Sequence, residues 1–427
     1  MKISIIGTGY VGLVTGVCFA DLGHEVICVD VDKKRVDKIN SGMPPIYEDK
    51  LEEMLKRCLR KRSIAATQNL EKAIKQTDIS FICVGTPSGL LDYIDLKYIE
   101  EVSREIGTAL KGVGYHVVVV KSTVVPGTTE HSVLPLLEKH SGKKAGGDFG
   151  LCMNPEFLRE GKAIDDFLHP DRIVIGGFDK RSTDILHKLY RDFKCPILKT
   201  NPKTAEMIKY ATNSFLVTKI SFINEIGNIS KQLSIDVYDV ARGLGMDSRV
   251  SPKFLNAGIG FGGSCFPKDV KALVGKAKEV YYRPIVLNAA LELNETQPLK
   301  LVELLERKVG SLKGLKVAVL GLAFKPGTDD MREAPSVKII HSLLRKGGRV
   351  YTADPKATPE AKKILGSHER LTYCDSAEEA VKHAKHILIV TEWDEFKNKK
   401  LYRNKVIIDG RRIEEARASE EYEGICW

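Results

Sequence analysis

The eleven residues KISIIGTGYVG, from Lys2 to Gly12, carry the clearest fold signal in this sequence. A strand-like apolar run is followed at once by three glycines with the spacing GxGxxG, and then by a helical pattern of apolar residues. This order predicts a tight strand-to-helix turn that holds a pyrophosphate at the start of the helix. The same turn can also close a strand–helix unit that binds nothing. The candidate cofactor-binding residues of the turn are Gly7, Gly9, Tyr10, Val11 and Gly12.

The acidic residue at the end of the next predicted strand, EVICVD, bears on which cofactor binds. Asp30 lies 18 residues beyond Gly12, where a carboxylate can accept hydrogen bonds from the adenosine ribose hydroxyls. Because this carboxylate would repel a ribose 2′-phosphate, the pattern favours NAD over NADP. Arg35 keeps NADP open as an alternative, since its guanidinium could bind that phosphate, and it could equally lie along the adenine.

Strand-like and helix-like segments alternate along most of the chain. The later strand-like runs are DISFICVGTP, HVVVVKSTVVPG, FGLCMNPEF and RIVIGG, and after residues 309–314 the alternation resumes with LKVAVLGLAF, GRVYTADP, HILIVTEW and KVIIDG. Such alternation predicts parallel, doubly wound sheets. The predicted fold class is α/β, with two Rossmann-like doubly wound parallel-sheet domains joined by a long central helix. The predicted domains are 1–198, a central helical dimerisation region 199–308 that carries a cysteine loop, and 309–427.

The central segment has the apolar spacing of a helix. Between residues 201 and 233 apolar side chains recur every three or four positions, and others occupy the opposite side. This predicts one long helix, or two stacked helices, buried between domains or subunits. Lys209 and Asn213 are four residues apart and share one face. Asparagine is a poor residue for the middle of a helix, so Asn213 is expected to have a ligand or a buried partner; the alternative is an ordinary surface pair.

The composition limits the classes of partner. The chain has 427 residues, 43% of them apolar, and a formal net charge of +10. No basic stripe is interleaved with aromatics, so we expect anionic metabolites and not nucleic acid, although a lysine-rich solvated surface would also explain the charge. The nine cysteines form no CxxC pair, which argues against a metal site or disulfide framework and for reduced thiols in the cytoplasm. No apolar run approaches the roughly 18 residues of a membrane span, so a soluble protein is expected.

Polar residues follow three of the predicted strands, at the edge of an open sheet where ligands bind. Thr86 follows ICVG, Thr123 follows VVVVKS, and Glu156 and Glu160 lie in LCMNPEFLREG. The Asn-Pro pair before Glu156 stiffens the backbone and so aims the carboxylate. Each threonine could equally cap a turn or helix, and Glu156 could be a solvated loop residue. Together these residues predict one wall of a site.

The run GFGGSCFPKDV, residues 260–270, places three glycines directly ahead of Cys265. A thiolate attacks an electrophilic carbon only if the carbon can approach and the thiol can lose its proton. We expect the glycines to let backbone N–H groups face an anionic ligand or an oxyanion. Lys268 could stabilise the thiolate, and Asp269 could accept a proton or hold a water. The alternative is a glycine-rich turn with an inert cysteine.

Six motifs carry a family resemblance, in the same order along essentially the whole chain: GTGYVG, KSTVVPGT, NPEFLREG, IKYATNSF, GFGGSCFPKD and GLAFKPGTDDMRE. With these motifs the sequence resembles the UDP-glucose 6-dehydrogenase family. The resemblance implies an NAD-dependent, four-electron oxidation of the primary alcohol of UDP-glucose to the carboxylate of UDP-glucuronate. It also implies a cysteine thiohemiacetal and then a thioester, because an aldehyde can give a second hydride only after a nucleophile has added to it.

The resemblance assigns an expected role to each matching residue. The implied catalytic residues are Cys265, Lys209, Asn213, Asp269, Glu156 and Thr123. The cysteine would be the nucleophile, the lysine and asparagine would steady the alkoxide and the later oxyanion, the aspartate and threonine would position water, and the glutamate would assist thioester hydrolysis. Beyond the glycine turn, the implied cofactor contacts are Asp30, Arg35, Thr86, Thr123, Glu160, Cys265, Lys268 and Arg332. The implied nucleotide-sugar contacts are Glu156, Phe157, Leu158, Arg159, Lys209, Asn213, Arg249, Phe261, Gly262 and Lys325.

Oligomeric state and substrate also follow from the resemblance. Arg249 resembles an arginine that crosses from a partner subunit to the substrate, which implies a homodimer packed on the central helix. Dehydrogenases of GDP-mannose use the same chemistry and have a similar cysteine loop, but NPEFLREGKAIDDFLHPDRIVIGG is more similar to the UDP-glucose branch. Dehydrogenases of UDP-N-acetylmannosamine fit less well, because their cysteine loop departs further from FGGSCFPKD. Two other classes stay open: a single-hydride dehydrogenase with an incidental Cys265, and a non-catalytic protein that binds a nucleotide sugar or NAD.

Overall fold

The structure, a computed structural model, describes residues 1–89 and 93–427. It confirms the predicted fold class, with two α/β sheet units and a long helix. The two compact units are Met1–Thr212 and Asn213–Trp427, and the boundary between them falls within the helix Pro202–Gln232. The segment for which the sequence predicted one helix or two is therefore a single helix of 31 residues. The division into three domains at residues 198 and 308 stays a prediction.

The first unit contains an eight-stranded sheet. Its strands are β1 (Lys2–Ile6), β2 (Glu25–Val29), β3 (Ile64–Thr67), β4 (Ile79–Ile82), β5 (Val117–Val120), β6 (Gly150–Met153), β7 (Ile173–Gly177) and β8 (Ile197–Thr200). They lie in the order β3-β2-β1-β4-β5-β6-β7-β8. Neighbouring strands are parallel except for β6 and β7, which are antiparallel, so the last two strands run against the first six.

Helices surround this sheet and bury both of its faces. They are α1 (Tyr10–Asp21), α2 (Lys33–Asn40), α3 (Leu51–Arg60), α4 (Leu70–Gln76), α5 (Lys97–Leu110), α6 (Leu134–Ser141), α7 (Ala163–Leu168), α8 (Lys180–Tyr190) and the first part of α9 (Pro202–Gln232), with a π-helical turn at Thr129–Val133. In β5, Val117 and Val119 enter one core cluster, whereas Val118 and Val120 enter another. Because both faces are covered, the central strands read as continuous apolar runs.

The register of the central strands determines where the polar loops lie. β1 pairs with β2 from Lys2 opposite Glu25 to Ile6 opposite Val29, so the two strands end at the same level. The glycine turn and Asp30 therefore lie side by side at the carboxyl edge of the sheet. That edge is where open α/β sheets bind their ligands.

The second unit contains a six-stranded, parallel sheet. Its strands are β9 (Lys316–Leu320), β10 (Arg349–Ala353), β11 (Leu371–Tyr373), β12 (His386–Ile389), β13 (Val406–Asp409) and β14 (Glu421–Gly424). They lie in the order β11-β10-β9-β12-β13-β14, which repeats the order of the first six strands of the other sheet. Its helices are the rest of α9, α10 (Val237–Gly245), α11 (Phe266–Glu279), α12 (Ile285–Thr296), α13 (Leu299–Val309), α14 (Pro335–Arg345), α15 (Thr358–Leu365) and α16 (Ala377–His383), with 3-10 turns at Asp394–Lys397, Lys399–Tyr402 and Glu414–Ala418.

Two structural features bear on the compartment expected from the composition. Within residues 1–89 and 93–427, no helix combines the length and the apolarity that crossing a bilayer requires. No disulfide joins any of the nine cysteines, all of which belong to the described residues. Seven of them are buried and Cys195 is half-buried, whereas Cys265 is exposed. Exposure therefore separates Cys265 from the cysteines that serve as core residues.

Candidate active site

The glycine turn after β1 has the geometry that its sequence predicts. Gly7 has a φ of +95°, and a Cβ atom on Gly12 would collide with the carbonyl oxygen of Gly7. Both positions therefore require glycine. Gly9 occupies the cap position of α1 and has no side chain to satisfy the first N–H groups, and a Cβ atom there would meet nothing within 4 Å. An open helix start of this kind fits the pyrophosphate of a dinucleotide.

Asp30 lies beside this turn and is held in place by it. Its Oδ2 accepts hydrogen bonds from the backbone N–H of Thr8 at 2.9 Å and from the Thr8 hydroxyl at 2.5 Å, and its Oδ1 accepts one from the N–H of Asp32. Burial by itself would raise the pKa of Asp30, but these hydrogen bonds and the nearby guanidinium of Arg35 hold it below its ordinary value. An ionised carboxylate with lone pairs to spare suits the hydroxyls of a ribose. The guanidinium of Arg35 lies 3.8 Å from the same carboxylate. Asp30 therefore neutralises the positive charge that would otherwise attract a ribose 2′-phosphate.

The sequence analysis missed Glu48, a buried residue that supports the turn. Its carboxylate accepts hydrogen bonds from the hydroxyl of Tyr10, from the N–H of Gly161 at 2.8 Å and from the N–H of Ala163 at 2.7 Å. Glu48 therefore connects the start of α1 to the segment that follows Glu160. The available signal was a glutamate directly after the apolar run PPIY.

The loops that follow β4 and β5 lie against each other at the carboxyl edge. The hydroxyl of Thr86 donates to the carbonyl oxygen of Thr123 at 2.9 Å, and that of Ser122 donates to the carbonyl oxygen of Val84 at 2.7 Å. Thr86 is buried and Thr123 is half-buried. The two threonines singled out from the sequence are thus neighbours in the fold.

Glu156 and Lys209 form a buried ion pair. The Nζ atom of Lys209 lies 2.8 Å from Oε1 of Glu156, and the other oxygen of that carboxylate accepts a hydrogen bond from the N–H of Leu158 at 2.6 Å. The side chains are only 5% and 7% exposed, which excludes a solvated loop glutamate and a surface lysine. Burial alone would raise the pKa of Glu156, but the attraction of Lys209, the two hydrogen bonds and the charge of Lys121 together hold it below the ordinary value. Glu156 is therefore an ionised carboxylate in a dry environment.

The segment 157–160 after this acid is tied to the protein by its own groups: the N–H of Leu158 donates to Glu156 and the N–H of Arg159 donates to Asp166. The guanidinium of Arg172 lies over the ring of Phe157, 3.9 Å from its centroid. The guanidinium of Arg159 is paired with Asp166 at 2.5 Å, so that side chain is already engaged within the protein. The half-buried side chains of the segment are Phe157, Leu158 and Glu160.

In the second unit, Cys265 occupies the cap position of α11 and is exposed. The positive end of a helix favours a negative group, so this position suits a thiolate. Asp269 lies one helical turn further and is buried. Its carboxylate accepts hydrogen bonds from Nδ2 of Asn213 at 2.6 Å and from Nζ of Lys268 at 2.8 Å. Asp269 is thus the buried partner that was expected for Asn213. The sequence analysis assigned Lys268 to stabilise the thiolate of Cys265, but the positive charge of Lys268 is paired with Asp269.

The glycines ahead of Cys265 allow close packing. Cβ atoms on Gly260, Gly262 and Gly263 would all collide with atoms of other segments. Gly263 also has a φ of +85°, and its N–H donates to the carbonyl oxygen of Arg332 at 2.9 Å. The expectation that the glycine N–H groups face a ligand is therefore wrong for Gly263, because this donor is used within the protein.

Three amide side chains that the sequence analysis missed hold the loop by hydrogen bonds to its backbone; Asn224 and Gln297 are buried and Asn294 is half-buried. Asn294 accepts a hydrogen bond from the N–H of Phe261 at 2.8 Å and donates to its carbonyl oxygen at 3.0 Å. Asn224 accepts from the N–H of Gly258 at 2.8 Å, and Gln297 donates to the carbonyl oxygen of that glycine at 2.8 Å. The backbone around Phe261 and Gly262 is thus held rigidly. Polar residues in the apolar helices α9 and α12 were the available signal.

Three cations lie near the carboxyl edge of the second sheet. Lys325 is half-buried, with Nζ 5.4 Å from the ring centroid of Phe324. Arg332 is exposed and its guanidinium pairs with Asp330 at 2.8 Å. Arg411, which the sequence analysis did not single out, follows β13 and donates to the carbonyl oxygen of Phe324 at 3.3 Å. Lysine and arginine beside a loop after a parallel strand suit the phosphates of a nucleotide.

The outer side of α9 in the second unit is apolar and exposed. Val217 and Ile223 are fully buried, whereas three apolar side chains at intervals of seven residues are 64%, 48% and 53% exposed: Phe215, Phe222 and Ile229. Arg249 is 87% exposed and its guanidinium pairs with Asp247 of the same chain. The helix therefore covers one core and leaves a second apolar stripe uncovered.

Three models of one protein family match consecutive parts of the chain. The NAD binding domain of the UDP-glucose/GDP-mannose dehydrogenase family matches residues 1–194, the central domain of that family matches residues 203–296, and its UDP binding domain matches residues 318–416. The NAD binding domain includes the glycine turn and Glu156, and the central domain includes Lys209 and Cys265. The matches therefore cover nearly all candidate residues.

The chain is similar over its full length to proteins of this kind from bacteria and archaea. It is 44% identical to the UDP-glucose 6-dehydrogenase TuaD of Bacillus subtilis over 96% of this chain and 89% of that protein. It is 42% identical to the UDP-glucose 6-dehydrogenase AglM of Haloferax volcanii over 100% of both chains. The solved structure of a UDP-glucose dehydrogenase from Pyrobaculum islandicum superimposes with a TM-score of 0.94 at 42% identity, covering 100% of this chain and 97% of the other.

Proposed function

Because the chain belongs to the UDP-glucose/GDP-mannose dehydrogenase family, we propose that it oxidises UDP-glucose to UDP-glucuronate and passes two hydrides to NAD. The chain is an oxidoreductase with the NAD binding domain of that family in its first unit. The relatives from Bacillus subtilis and Haloferax volcanii are UDP-glucose 6-dehydrogenases, which supports UDP-glucose as the substrate. In the net reaction, one alcohol and one water yield one carboxylate, while two NAD molecules are reduced.

The observation that carries the proposal is the environment of Cys265. It is exposed at the start of α11, and the buried carboxylate of Asp269 lies one turn away. A single oxidation of an alcohol needs no nucleophile, whereas the second oxidation needs one, because an aldehyde must gain a substituent before it can lose another hydride. An exposed thiol at a helix start, followed by an acid, fits that requirement.

The chemistry requires the chain to hold NAD and to manage charge on the sugar oxygen. The residues that would hold NAD are the glycine turn and Asp30, and the bound cofactor accepts the hydride in each oxidation. In the first oxidation the alcohol passes its proton to a water positioned by Asp269 and Thr123, and Lys209 and Asn213 steady the resulting alkoxide. These groups are buried, so their charge and hydrogen bonds are only weakly screened.

The second oxidation and the hydrolysis use the thiol and the acids. The sulfur of Cys265 adds to the aldehyde carbon, the carbonyl electron pair moves to the oxygen, and loss of the second hydride leaves a thioester. A water positioned by Asp269 and Thr123 then attacks the thioester carbon and the carbon–sulfur bond breaks, which regenerates the thiolate. Glu156 assists by accepting a proton from that water.

The remaining contacts and the assembly belong to the same proposal. The nucleotide sugar would contact the backbone of segment 157–159, the loop at Phe261 and Gly262, and the side chain of Lys325. Arg332 and Glu160 would lie nearer the cofactor. We also propose that the exposed stripe on α9 is covered by a second copy of the chain, whose Arg249 completes the site. The support is the apolar character of the exposed stripe and the exposure of the Arg249 side chain.

The proposal extends to cofactor preference and compartment. The pairing of Arg35 with Asp30 supports NAD over NADP, since the guanidinium is already engaged by a carboxylate that would repel a 2′-phosphate. The lack of any disulfide among the nine cysteines supports a reducing compartment, and we place the protein in the cytoplasm.

The number of NADH molecules formed per sugar tests the function. UDP-glucose, GDP-mannose and UDP-N-acetylmannosamine are supplied separately in limiting amount, and NADH absorbance is read at completion. We expect two NADH per UDP-glucose and at least about tenfold slower turnover with the other two sugars. One NADH per sugar would indicate a single-hydride dehydrogenase. Binding of the sugar or NAD without any NADH would indicate a binding protein, and faster turnover of GDP-mannose would change the substrate.

A further inference from the structure

The first unit buries a second lysine, Lys121, near the Glu156–Lys209 ion pair. Lys121 directly follows β5 and is 4% exposed, so two lysines and one glutamate share a buried region. The nearest thiol in that region, Cys83, is fully buried, and burial raises its pKa to about 12, so it carries no charge. Two cationic side chains therefore lie beside one buried carboxylate in this region.

Lys121 is fixed against the turn that carries Glu156. Its Nζ donates to Oδ1 of Asn154 at 3.1 Å, and the same oxygen accepts a hydrogen bond from the hydroxyl of Tyr190 at 2.7 Å. The amide nitrogen of Asn154 donates to the carbonyl oxygen of Val174 at 2.8 Å, which sets the orientation of the amide. Asn154 is separated from Glu156 only by Pro155, so Lys121 acts on a rigid element.

We propose that Lys121 is a positioning residue for Glu156, whose charge keeps that carboxylate ionised and in place when Lys209 turns to the oxygen of the sugar. This inference rests on the proposed function. In that function Lys209 serves an alkoxide and later an oxyanion, and each time its hydrogen bond with Glu156 must weaken. A dry carboxylate that loses its only cation takes up a proton and can no longer accept one from water. A second fixed cation, Lys121, lets Glu156 stay ionised while Lys209 binds the oxygen of the sugar.

The electrostatics of the region support this role. Lys121 and Lys209 both lower the pKa of Glu156. Burial lowers the pKa of Lys121 to about 8; the charge of Glu156 opposes this shift and repulsion from Lys209 assists it. The groups that face Lys121 are thus Cys83 after β4, Asn154 and Glu156 after β6, Tyr190 on α8 and Lys209 on α9. Glu156 is the single group among these five that is negatively charged at neutral pH.

Two substitutions separate the charge of Lys121 from its hydrogen bond. Lys121→Gln keeps a donor that can reach toward Asn154 but has no charge, whereas Lys121→Met has neither, and Lys121→Arg keeps the charge. We expect Lys121→Gln and Lys121→Met to move the acidic limb of the kcat profile to higher pH by about one unit, with KM for the sugar and for NAD changed less than about threefold. Lys121→Arg should restore the profile at least in part. An unchanged profile in Lys121→Gln, or a defect confined to Lys121→Met, would reduce Lys121 to a structural residue.

A second measurement does not depend on catalysis. The melting temperature is measured for Lys121→Gln, Lys209→Met and the double variant without ligands. We expect the double variant to lose more than the sum of the single losses, because only the double variant leaves Glu156 without a cation. Additive losses would contradict the proposal even if the protein oxidises UDP-glucose. Conversely, strong coupling without NADH formation by the wild type would leave Lys121 paired with Glu156 but overturn the proposed reaction.

Discussion

The side-chain amide of Asn213 donates a hydrogen bond of 2.6 Å to the buried carboxylate of Asp269. This bond joins α9 to α11 and orients an acid one helical turn beyond Cys265. The hydrogen bond to Asp269 explains why an asparagine occurs in the middle of this long helix. Asp269 should therefore be tested by mutation as well as Cys265.

Removal of this carboxylate should affect the chemical steps. We expect Asp269→Asn to lower kcat by about 10²-fold or more, because the variant keeps a hydrogen-bonding side chain but can no longer accept a proton. The matched control is Lys268→Met, which removes the other partner of the same carboxylate and should cost less than about tenfold. Initial rates with both substrates give kcat and KM. Equal losses in the two variants would indicate that the Lys268 charge matters as much as the acid.

The thiol itself is tested by Cys265→Ser. We expect steady-state turnover to fall by at least about 10³-fold, because a serine hydroxyl stays protonated at neutral pH and an alkoxide is a much poorer leaving group than a thiolate, while the nucleotide sugar still binds. Calorimetric titration measures that binding. Cys195→Ser is the control, since Cys195 is half-buried and lies outside the candidate site. Full activity of Cys265→Ser would remove the cysteine from the mechanism.

The close packing of the cysteine loop predicts a specific loss of stability. Gly263 has a φ of +85° and a Cβ atom there would lie 2.8 Å from the ring of Phe324, whereas Gly327 has a φ of +80° and its Cβ would meet nothing within 4 Å. Alanine at either position suffers the backbone strain, but only Gly263→Ala adds a steric clash. We expect Gly263→Ala to be less stable than Gly327→Ala by at least about 1 kcal/mol in urea unfolding. Equal stabilities would mean that the ring moves aside without cost.

The buried carboxylate of Glu206 predicts a pH dependence of stability. It accepts hydrogen bonds from the N–H of Gly127 and from the N–H and hydroxyl of Thr129, yet burial raises its pKa to about 7. In the unfolded chain the group ionises near the ordinary glutamate pKa of 4.5, so between about pH 4.5 and 7 the folded state holds more protons. Stability from this residue is therefore greatest at the acidic end and falls as the pH rises to about 7.

Glu206→Gln should remove that dependence. We expect the wild type to lose about 2–3 kcal/mol more than the variant when unfolding free energies at pH 5 and pH 7.5 are compared, since the shift spans about two units. Other titrating groups, such as the buried Asp409, contribute equally to both proteins and cancel in the difference. Parallel stability curves would show that the three hydrogen bonds keep Glu206 ionised throughout this range.

The apolar stripe on α9 predicts a dimer. We expect Phe222→Asp to shift the protein toward a monomer in light scattering and to lower its activity, because a charge would be buried in the interface. Phe178→Asp is a matched control, since Phe178 is 42% exposed and Phe222 is 48% exposed, and Phe178 belongs to the first unit and not to the stripe. An unchanged molar mass for Phe222→Asp would place the interface elsewhere.

Subunit mixing tests the assignment of Arg249 within that dimer. Inactive Arg249→Ala and Cys265→Ser proteins are unfolded together, refolded and assayed. If Arg249 acts on the partner's site, mixed dimers contain one intact site, and about a quarter of wild-type activity should return, because half of a random mixture is mixed dimer. No recovered activity would show that each site is built from one chain.

The strands that the sequence analysis recognised and those it missed differ in position. The predicted runs correspond to the inner strands of both sheets, and these strands are apolar because helices bury both faces. The missed strands are β3, β8, β11 and β14, with the sequences IAAT, ILKT, LTY and EYEG. All four are edge strands. An edge strand needs little apolar surface, so its existence depends on the neighbour it pairs with and carries no periodic signal of its own.

In the candidate site, too, some residues were identified from the sequence and others were missed. Residue type and spacing identified Cys265, Asp269, Glu156, Lys209 and the glycine turn, because the chemistry demands those groups next to particular strand ends and helix starts. Buried Glu48 and half-buried Asn294 and Arg411 were not identified, since nothing in a local window shows how far a polar side chain will be buried.

Local sequence thus determined the α/β class, the glycine turn and the reactive thiol, because strand periodicity, backbone conformation and nucleophilicity are properties of short segments. Tertiary structure alone decided the partners: Asn213 with Asp269, Glu156 with Lys209 and Lys121, and the N–H of Gly263 with a neighbouring carbonyl oxygen. The physical reason is that burial and hydrogen bonding are long-range quantities. Which charge is neutralised, and which donor is still available to a ligand, is settled only when distant segments come together.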